Sequence, residues 1–205
     1  MKNSLTVRQE TEKDYKTVEN LTREAFWNVY RPGCLEHYVL NQFRTRENFI
    51  PQLSLVLEKD GRIIGHIMYV WSEIVSGDGT KVQIMTFGPF SIHPECRGRG
   101  YGEYLLNCSM EKAKEIGAKA IAITGDINLY GKFGFVVAKT KGIVYKEFPE
   151  AEFFLIKEME EGFLCNLCGS YTDPSGYFVD ENEAEEFDKN FPPKEKLKLP
   201  TQLAQ

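Results

Sequence analysis

A short segment with glycines at alternate positions, residues 97–102, constrains the fold of this chain more than any other feature. It reads Arg-Gly-Arg-Gly-Tyr-Gly and lies between an apolar strand pattern and an amphipathic helix pattern. Glycine lets the backbone bend sharply and approach another group closely, because it has no Cβ. The following helix directs its first free N–H groups back into the bend. Because the two arginines add forked donors for phosphate oxygens, the segment predicts a pyrophosphate cradle.

Two helices are predicted upstream of this segment. Thr11 and Asp14 predict a capping box at the start of the first helix. Its buried face is predicted from apolar residues at helical spacing, namely Tyr15, Val18, Leu21, Ala25, Phe26 and Val29. A second, shorter helix is predicted over residues 35–43.

Three strands are predicted between these helices and the glycine segment. Residues 53–57 and 62–74 form a predicted hairpin, because an Asp-Gly dipeptide separates them. The third strand is predicted from Lys81 to Ile92 and contains Gly88-Pro89. A proline inside a strand removes a ladder hydrogen bond, so we expect a break or bulge there.

The pattern after the glycine segment predicts a strand–helix–strand unit. One helix face is apolar, with Leu105, Leu106, Met110, Ala113 and Ile116. Gly117 is its predicted C-terminal cap, and residues 118–124 form a strand covered on both faces. A brief helix over 127–133 ends at Gly134 and leads into a strand at 135–137.

The C-terminal part has a weaker pattern. Residues 152–159 are a candidate last strand, and Asp180 is a predicted cap for an acidic helix over 181–190. The basic, proline-bearing tail from Pro192 is expected to lie on the surface or to be partly disordered.

Composition excludes several classes of protein. The chain has 205 residues and a formal net charge of −5, which argues against a nucleic-acid partner. No run of 18 apolar residues and no apolar signal core occur, so we expect no membrane association and a cytoplasmic location. The five scattered cysteines fit reduced thiols, and Cys165 and Cys168 lack a second pair for zinc, so no metal is expected.

Two other phosphate-binding loops do not fit. A dinucleotide fingerprint counted from Gly98 needs a sixth glycine, but that position is Glu103. A Walker loop needs Gly-Lys-Ser/Thr, which is absent.

The glycine segment resembles the acetyl-CoA motif of the Gcn5-related N-acetyltransferase (GNAT) superfamily, Gln/Arg-x-x-Gly-x-Gly/Ala. Residues 129–135 resemble the family's second motif, Leu-Tyr-x-x-x-Gly-Phe. Phe87-Gly88-Pro89 is most similar to the bacterial YhbS-type branch. The resemblance covers about residues 5–160. It implies a central, mostly antiparallel sheet with splayed strands flanked by helices, in a domain over 1–160 with an extension over 161–205.

The resemblance also implies a site for acetyl-CoA as cosubstrate. Main-chain groups next to the strand break would bind the pantetheine arm, and Asn128 is a further candidate for that arm. Tyr130 is the candidate general acid for the departing thiolate. The implied cofactor-binding set is Phe90, Ser91, Ile92, Arg97, Gly98, Arg99, Gly100, Tyr101, Gly102 and Asn128.

The roles of several other residues stay open. Asn128 is equally a helix-start residue, and Tyr130 has an alternative role as a packed aromatic. The family often uses a glutamate on the strand before the loop, but Lys81 to Ile92 contains no carboxylate. The general base is therefore open between water and four residues, Glu73, Glu24, His66 and Asp126. The aromatics at 26–43 are candidates for an acceptor wall or for core packing, and the glutamates of 181–186 for amine attraction or a solvated face.

The leading hypothesis is an N-acetyltransferase that acts on the amine of a small molecule or peptide. The second hypothesis, from another class, is a non-catalytic acyl-CoA-binding or sensing domain, and the third is a degenerate Rossmann unit that binds a nucleotide. The resemblance also allows a homodimer.

Overall fold

The computed structural model describes residues 4–202. The strands in chain order are β1 (Leu5–Gln9), β2 (Leu55–Lys59), β3 (Arg62–Ser76), β4 (Lys81–Ile92), β5 (Ala120–Thr124), β6 (Val136–Val137), β7 (Ile143–Tyr145), β8 (Phe154–Glu158) and β9 (Gly169–Tyr171). The α-helices are α1 (Tyr15–Phe26), α2 (Glu36–Phe43), α3 (Tyr101–Glu115), α4 (Ile127–Tyr130) and α5 (Glu181–Asp188). None of these helices is both long and apolar enough to cross a lipid bilayer.

The described chain divides into two compact units. The first unit takes its described residues from Met1–Met68, Pro89–Ser109 and Ser175–Gln205. The second unit consists of Tyr69–Gly88 and Met110–Pro174. The predicted extension over 161–205 therefore contributes β9 to the second unit and α5 to the first, and its status as a separate segment stays a prediction.

In the first unit, β1, β2 and β3 form antiparallel pairs, with Leu5 opposite Lys59 and Leu55 opposite Ile67. Asp60 and Gly61 join β2 to β3 with φ values of 51° and 80°. Both lie in the left-handed region that two-residue hairpin turns require. The predicted hairpin is confirmed.

Helix α1 follows the predicted capping box, in which the Thr11 N–H donates to Asp14 Oδ2 at 2.8 Å. Its inner face packs as predicted, since Val18, Leu21 and Ala25 are all buried. The helix ends at Phe26, however, and Val29 is 38 % exposed. Val29 belongs to the turn that follows, so its assignment to the helical face was wrong.

Two further helices of the first unit, α2 and α5, also match the patterns. Helix α2 falls inside the predicted range 35–43. Asp180 caps α5 by accepting from the N–H groups of Asn182 and Glu183 at 2.8 and 3.0 Å. Carboxylates at a helix N-terminus satisfy donors that have no partner in the helix.

In the second unit, β4 and β5 pair in parallel, and β8 pairs antiparallel with both β5 and β6. Strand β9 pairs antiparallel with β3 and parallel with β7. The core contains Ile74, Ile84, Ala120, Ala122, Ala138, Ile143, Tyr145, Phe154, Ile156, Leu164, Leu167 and Tyr171. The predicted strands at 118–124, 135–137 and 152–159 are confirmed in shortened form, whereas β7 and β9 were not predicted.

The end of α3 shows one confirmed and one wrong prediction. Gly117 has φ +94° just after the helix, which fits its predicted role as a cap. Ile116 is 40 % exposed and does not join the buried face, because the helical pattern stops at Glu115.

Candidate functional site

The glycine loop connects β4 to α3 within the first unit. Gly98 and Gly100 have φ values of +72° and +79°, a conformation that side chains with a Cβ rarely adopt. A Cβ at either position would meet nothing within 4 Å, so conformation, not space, requires glycine there. The first helical bond runs from the Tyr104 N–H to the Gly100 carbonyl at 3.0 Å. The N–H groups of Tyr101 and Gly102 are thus too early in α3 for a helical partner.

Gly102 differs from the other two glycines. It lies inside the first turn of α3, and a Cβ there would be 3.5 Å from Ile92 Cγ1 and from Phe90 Cζ. These are ordinary contact distances, so the structure does not demand glycine at this position. Only two of the three glycines therefore shape the bend.

The two arginines of the loop have different surroundings. Arg97 turns back on main chain, with Nη2 donating to the Ala25 carbonyl at 2.5 Å and Nε to the Ile92 carbonyl at 3.4 Å. It thereby ties the loop to the end of α1. Arg99 is exposed and forms no ion pair with any residue in 4–202, so its charge faces solvent.

Strand β4 carries the predicted irregularity. Gly88 has φ +142°, and Pro89 has no N–H to donate to a ladder. Parallel pairing of β4 with β5 occurs at Met85 and Thr86, just before this point. The strand continues through Gly88-Pro89 to Ile92 with an irregular backbone at Gly88, and a splay of β4 from β5 beyond this point stays a prediction.

The segment after Gly88-Pro89 contacts both α1 and β3. The Ser91 hydroxyl lies 3.1 Å from the Thr22 hydroxyl, and both residues are buried. Since this hydroxyl faces α1, Ser91 offers a ligand its main chain only. The His93 N–H donates to the Ile64 carbonyl at 2.8 Å, consistent with a structural role for His93.

Gly65, inside β3, also shapes this region and was not among the predicted site residues. A Cβ on it would be 2.6 Å from Ile92 Cδ1 and 3.2 Å from Leu105 Cδ2. Glycine therefore lets β3 pack closely against β4 and α3 beneath the loop. A single glycine inside an apolar strand pattern was the available signal.

Tyr130 and Asn128 belong to the second unit, whereas the other predicted site residues belong to the first. The half-buried Tyr130 ring lies 6.0 Å from the Phe87 ring and 5.8 Å from the Phe135 ring. It also covers Gly125, where a Cβ would be 2.7 Å from Tyr130 Cε2. Packing on three sides thus fixes the orientation of the phenol ring.

Asn128 lies in the first turn of α4. Its N–H and its side-chain amide both donate to Asp126 Oδ1, at 2.8 and 2.9 Å. These contacts match the helix-start role that the sequence left open. They also engage Asp126, one of the candidate bases.

The remaining candidate bases also have partners. Glu73 pairs with Lys81 at 2.6 Å, and Glu24 pairs with Lys194 at 2.8 Å. His66 is fully buried with Nε2 3.1 Å from the Ser54 hydroxyl. Burial, helped by the Arg44 charge, lowers the pKa of His66 to about 3, so the ring is neutral near pH 7 and is enclosed by the protein.

The glutamates of α5 are exposed, and each contacts another side chain of the protein. Ion pairs join Glu181 to Arg31, Glu185 to Lys196 and Glu186 to Lys189. Glu183 accepts from the Tyr38 hydroxyl at 2.8 Å. The same contact, with burial of Tyr38 and Phe43, favours the core-packing alternative for these two aromatics.

The C-terminal tail is bound to the turn after α1. Residues 194–202, here called the strap, present the Glu195 carbonyl to Trp27 Nε1 at 2.9 Å and to Asn28 Nδ2 at 3.0 Å. The Leu197 N–H donates to Asn28 Oδ1 at 3.0 Å, and Gln202 Nε2 donates to the Asn28 carbonyl at 3.1 Å. The tail is on the surface as predicted, and its backbone is fixed.

The five cysteines are free thiols, and Cys165 and Cys168 are exposed. Within residues 4–202, no group of three or more His, Cys, Asp or Glu side chains is arranged to hold a metal ion.

Sequence comparison identifies related proteins. The family model for the acetyltransferase (GNAT) family matches residues 16–135, more than half of the chain. The uncharacterized N-acetyltransferase YhbS of Escherichia coli strain K12 is 30 % identical over 94 residues, 45 % of this chain and 54 % of YhbS. YjhQ of the same organism, also an uncharacterized N-acetyltransferase, is 26 % identical over 89 residues, 43 % of this chain and 49 % of YjhQ. The matched part spans about half the length of these curated relatives.

Solved structures extend the likeness to most of the chain. YhbS from Escherichia coli in complex with CoA superposes with a TM-score of 0.75 at 21 % identity, covering 86 % of this chain and 93 % of that one. A GNAT acetyltransferase from Brucella melitensis in complex with acetyl-CoA gives 0.69 at 22 % identity, covering 85 % and 99 %. The expected mixed α/β fold, with a mostly antiparallel sheet flanked by helices, is confirmed. The chain therefore belongs to the acetyltransferase (GNAT) family.

Proposed function

We propose that this protein transfers the acetyl group of acetyl-CoA to an amine of a small molecule or peptide. The amine attacks the thioester directly, a tetrahedral intermediate forms, and CoA leaves as a thiolate. The left-handed Gly98 and Gly100 at the start of α3 are the observation that carries this proposal. Their conformation directs main-chain N–H groups and the N-terminus of α3 toward the bend of the loop, an arrangement that suits a pyrophosphate. CoA and acetyl-CoA occupy the two solved relatives, which supports the same ligand here.

In this proposal the loop residues 97–102 bind the pyrophosphate. Arg99 supplies free positive charge, and Arg97 holds the loop in position through its contacts with main-chain carbonyls. Main-chain groups of Phe90, Ser91 and Ile92 bond the pantetheine amides. A backbone N–H in that segment stabilises the oxyanion of the tetrahedral intermediate.

Tyr130 is the proposed general acid. A phenol, whose ordinary pKa is about 10, can protonate the departing thiolate if it lies within hydrogen-bond reach. The packing of its ring against Phe87 and Phe135 supports this role, because a fixed phenol has less conformational freedom to lose. Asn128 is proposed to contact the pantetheine arm in exchange for its bond to Asp126.

The incoming ammonium must lose a proton before attack. Glu73, Glu24, His66 and Asp126 each have a protein partner, and the His66 ring is fully buried. These contacts favour water as the first proton acceptor. We further propose a cytoplasmic location, since the five thiols are free, and a homodimer as the assembly to be tested.

Thermal denaturation with acetyl-CoA tests the binding part of the proposal. We expect acetyl-CoA to raise the melting temperature of the wild type, and Gly100→Ala to abolish most of that rise by straining the loop. Gly79→Ala is the matched control, because Gly79 has φ +86° and equally open surroundings but lies in a distant turn of the sequence. An equal rise in both variants would remove the glycine loop from the binding site.

A second candidate function is a non-catalytic acyl-CoA-binding or sensing domain. Each of the four candidate bases already has a protein partner, and this favours a non-catalytic role. Release of free thiol from acetyl-CoA across a panel of amines separates the two functions. For the enzyme we expect Tyr130→Phe to lower kcat by about tenfold to a hundredfold at unchanged KM for acetyl-CoA. Thiol release no faster than in buffer, with every amine, supports the sensor.

A further inference from the structure

Three chemistry-bearing side chains meet in the first unit, outside the glycine loop. Cys34 precedes α2, His37 lies in its first turn, and Asp188 is the last residue of α5. The Cys34 Sγ is 3.4 Å from His37 Nδ1. His37 Nε2 is 3.0 Å from Asp188 Oδ1, although the contact is not an aligned hydrogen bond.

The surrounding packing fixes the histidine and the carboxylate. The His37 ring lies 5.5 Å from the Phe187 ring and 5.3 Å from the Phe191 ring. Buried Arg23 donates to both oxygens of Asp188, at 2.6 and 3.0 Å. Burial alone would raise the pKa of Asp188, but the hydrogen bonds and charge of Arg23 outweigh it, so that pKa is below its usual value. The carboxylate is therefore ionised and stationary.

The order of the three groups excludes a shared metal ion. Ligands of one ion must converge on a single point. Here the thiol faces one ring nitrogen of His37 and the carboxylate faces the other, so the imidazole lies between them. A nucleophile that contacts a base, with the base contacting an orienting group on its other side, is the arrangement typical of nucleophilic catalysis.

A cavity adjoins two of these three residues. Cys34 and Asp188 both line a space of about 170 Å³ that also contacts Trp27, Arg31 and Lys196. Burial raises the pKa of the Cys34 thiol and lowers that of His37 to about 4, so both groups are neutral near pH 7. The pair thus differs from exposed thiolate–imidazolium pairs. It resembles a neutral hydroxyl with a neutral imidazole, in which the proton leaves as the new bond forms.

We propose that Cys34, His37 and Asp188 form a nucleophilic relay that accepts an acyl group from a small activated ester or thioester. The bond from Sγ to the acyl carbon forms, and the bond from that carbon to the leaving oxygen or sulfur breaks. His37 Nδ1 takes the thiol proton and returns it to the leaving group, while Asp188 stabilises the imidazolium. The products are S-acyl Cys34 and the protonated leaving group. This acylation is separate from amine acetylation and needs no contact with the glycine loop.

The first test uses p-nitrophenyl acetate on the unmodified full chain, folded and in urea at the same pH. Quenched samples are mapped by mass spectrometry for acetylation of each cysteine. We expect Cys34 to be acetylated at least about tenfold faster in the folded protein than in urea, because only the folded protein has the relay. A thiol that is merely buried reacts faster after unfolding, and that result would overturn the proposal.

A variant then tests the role of the histidine. His37→Asn retains a polar group near the position of Nδ1 but cannot take a proton. We expect acetylation of Cys34 to fall by about tenfold or more, with Cys165 and Cys168 unchanged as exposed internal references. Circular dichroism checks that the variant is folded. Unchanged acetylation of Cys34 in a folded variant removes His37 from the relay, and the comparison in urea stands whether or not the variant folds.

Discussion

Arg97 and Arg99 carry the same charge within one loop, but their contacts indicate different roles. The Arg97 guanidinium donates hydrogen bonds to the carbonyls of Ala25 and Ile92, which lie at the end of α1 and of β4. Two acceptors in different directions suit a forked donor and do not suit a single ammonium group. Arg99 has no such partners among the described residues, so a ligand would meet it as a mobile positive charge.

Exchange to lysine separates these two roles. Arg97→Lys keeps the charge but loses the fork, and we expect acetyl-CoA affinity to fall by about tenfold, or about 1.4 kcal/mol. Arg99→Lys keeps the positive charge, which is all that this position is proposed to supply. The affinity of this variant for acetyl-CoA should therefore stay within about twofold of the wild type. Isothermal titration calorimetry with acetyl-CoA measures both. Loss in Arg99→Lys with wild-type affinity in Arg97→Lys would reverse the assignment.

At the scale of elements, the strap shows how a segment without secondary structure can be fixed. Its bonds to Trp27 and Asn28 use the Glu195 carbonyl, and the flanking Lys194 and Lys196 add ion pairs to Glu24 and Glu185. Asn28 adopts φ +60°, a left-handed conformation that asparagine tolerates better than most residues. The strap thus stabilises an unusual turn between α1 and α2.

Removal of the strap should loosen that turn. We expect deletion of residues 194–205 to lower the free energy of unfolding by about 1–3 kcal/mol, because several hydrogen bonds of about 1 kcal/mol each are lost. Fluorescence of Trp27, measured in a Trp71→Phe background, should shift to longer wavelength as the indole N–H becomes hydrated. Glu195→Ala is the matched control, since it retains the main-chain carbonyl. A shift of the same size in Glu195→Ala, or none in the deletion, contradicts this assignment.

The elements that the sequence predicted are those with a local signal. The capping box of α1, the Asp-Gly hairpin and the β4–loop–α3 unit each depend on residues close together in the chain. The short strands β7 and β9 have three residues each and exist through mutual pairing, which no local pattern reveals. The partners of Arg97 and the docking of the strap likewise join distant segments. The sequence could thus propose the site residues without the contacts that distinguish their roles.

At the scale of the whole molecule, two buried histidines make the free energy of unfolding depend on pH. His37 and His66 are fully buried, and burial lowers their pKa values to about 4 and about 3. In the unfolded chain both titrate near the ordinary value of about 6.5. The unfolded chain therefore binds more protons than the native protein below pH 6.5, so the free energy of unfolding falls as pH falls. Burial raises the pKa of Glu10, which offsets part of this loss at lower pH.

We expect the free energy of unfolding to decrease by roughly 2 kcal/mol between about pH 6.5 and 5.5, since each histidine contributes up to about 1.4 kcal/mol per pH unit. Urea titrations at these two pH values measure the change. His66→Gln should reduce it by about half, because glutamine can keep the bond to the Ser54 hydroxyl without taking up a proton. His93→Asn is the control variant, because His93 is the remaining histidine of the chain and is only partly buried. A stability that does not change over this range would mean that the two histidines are hydrated in the folded protein, contrary to the packing around them.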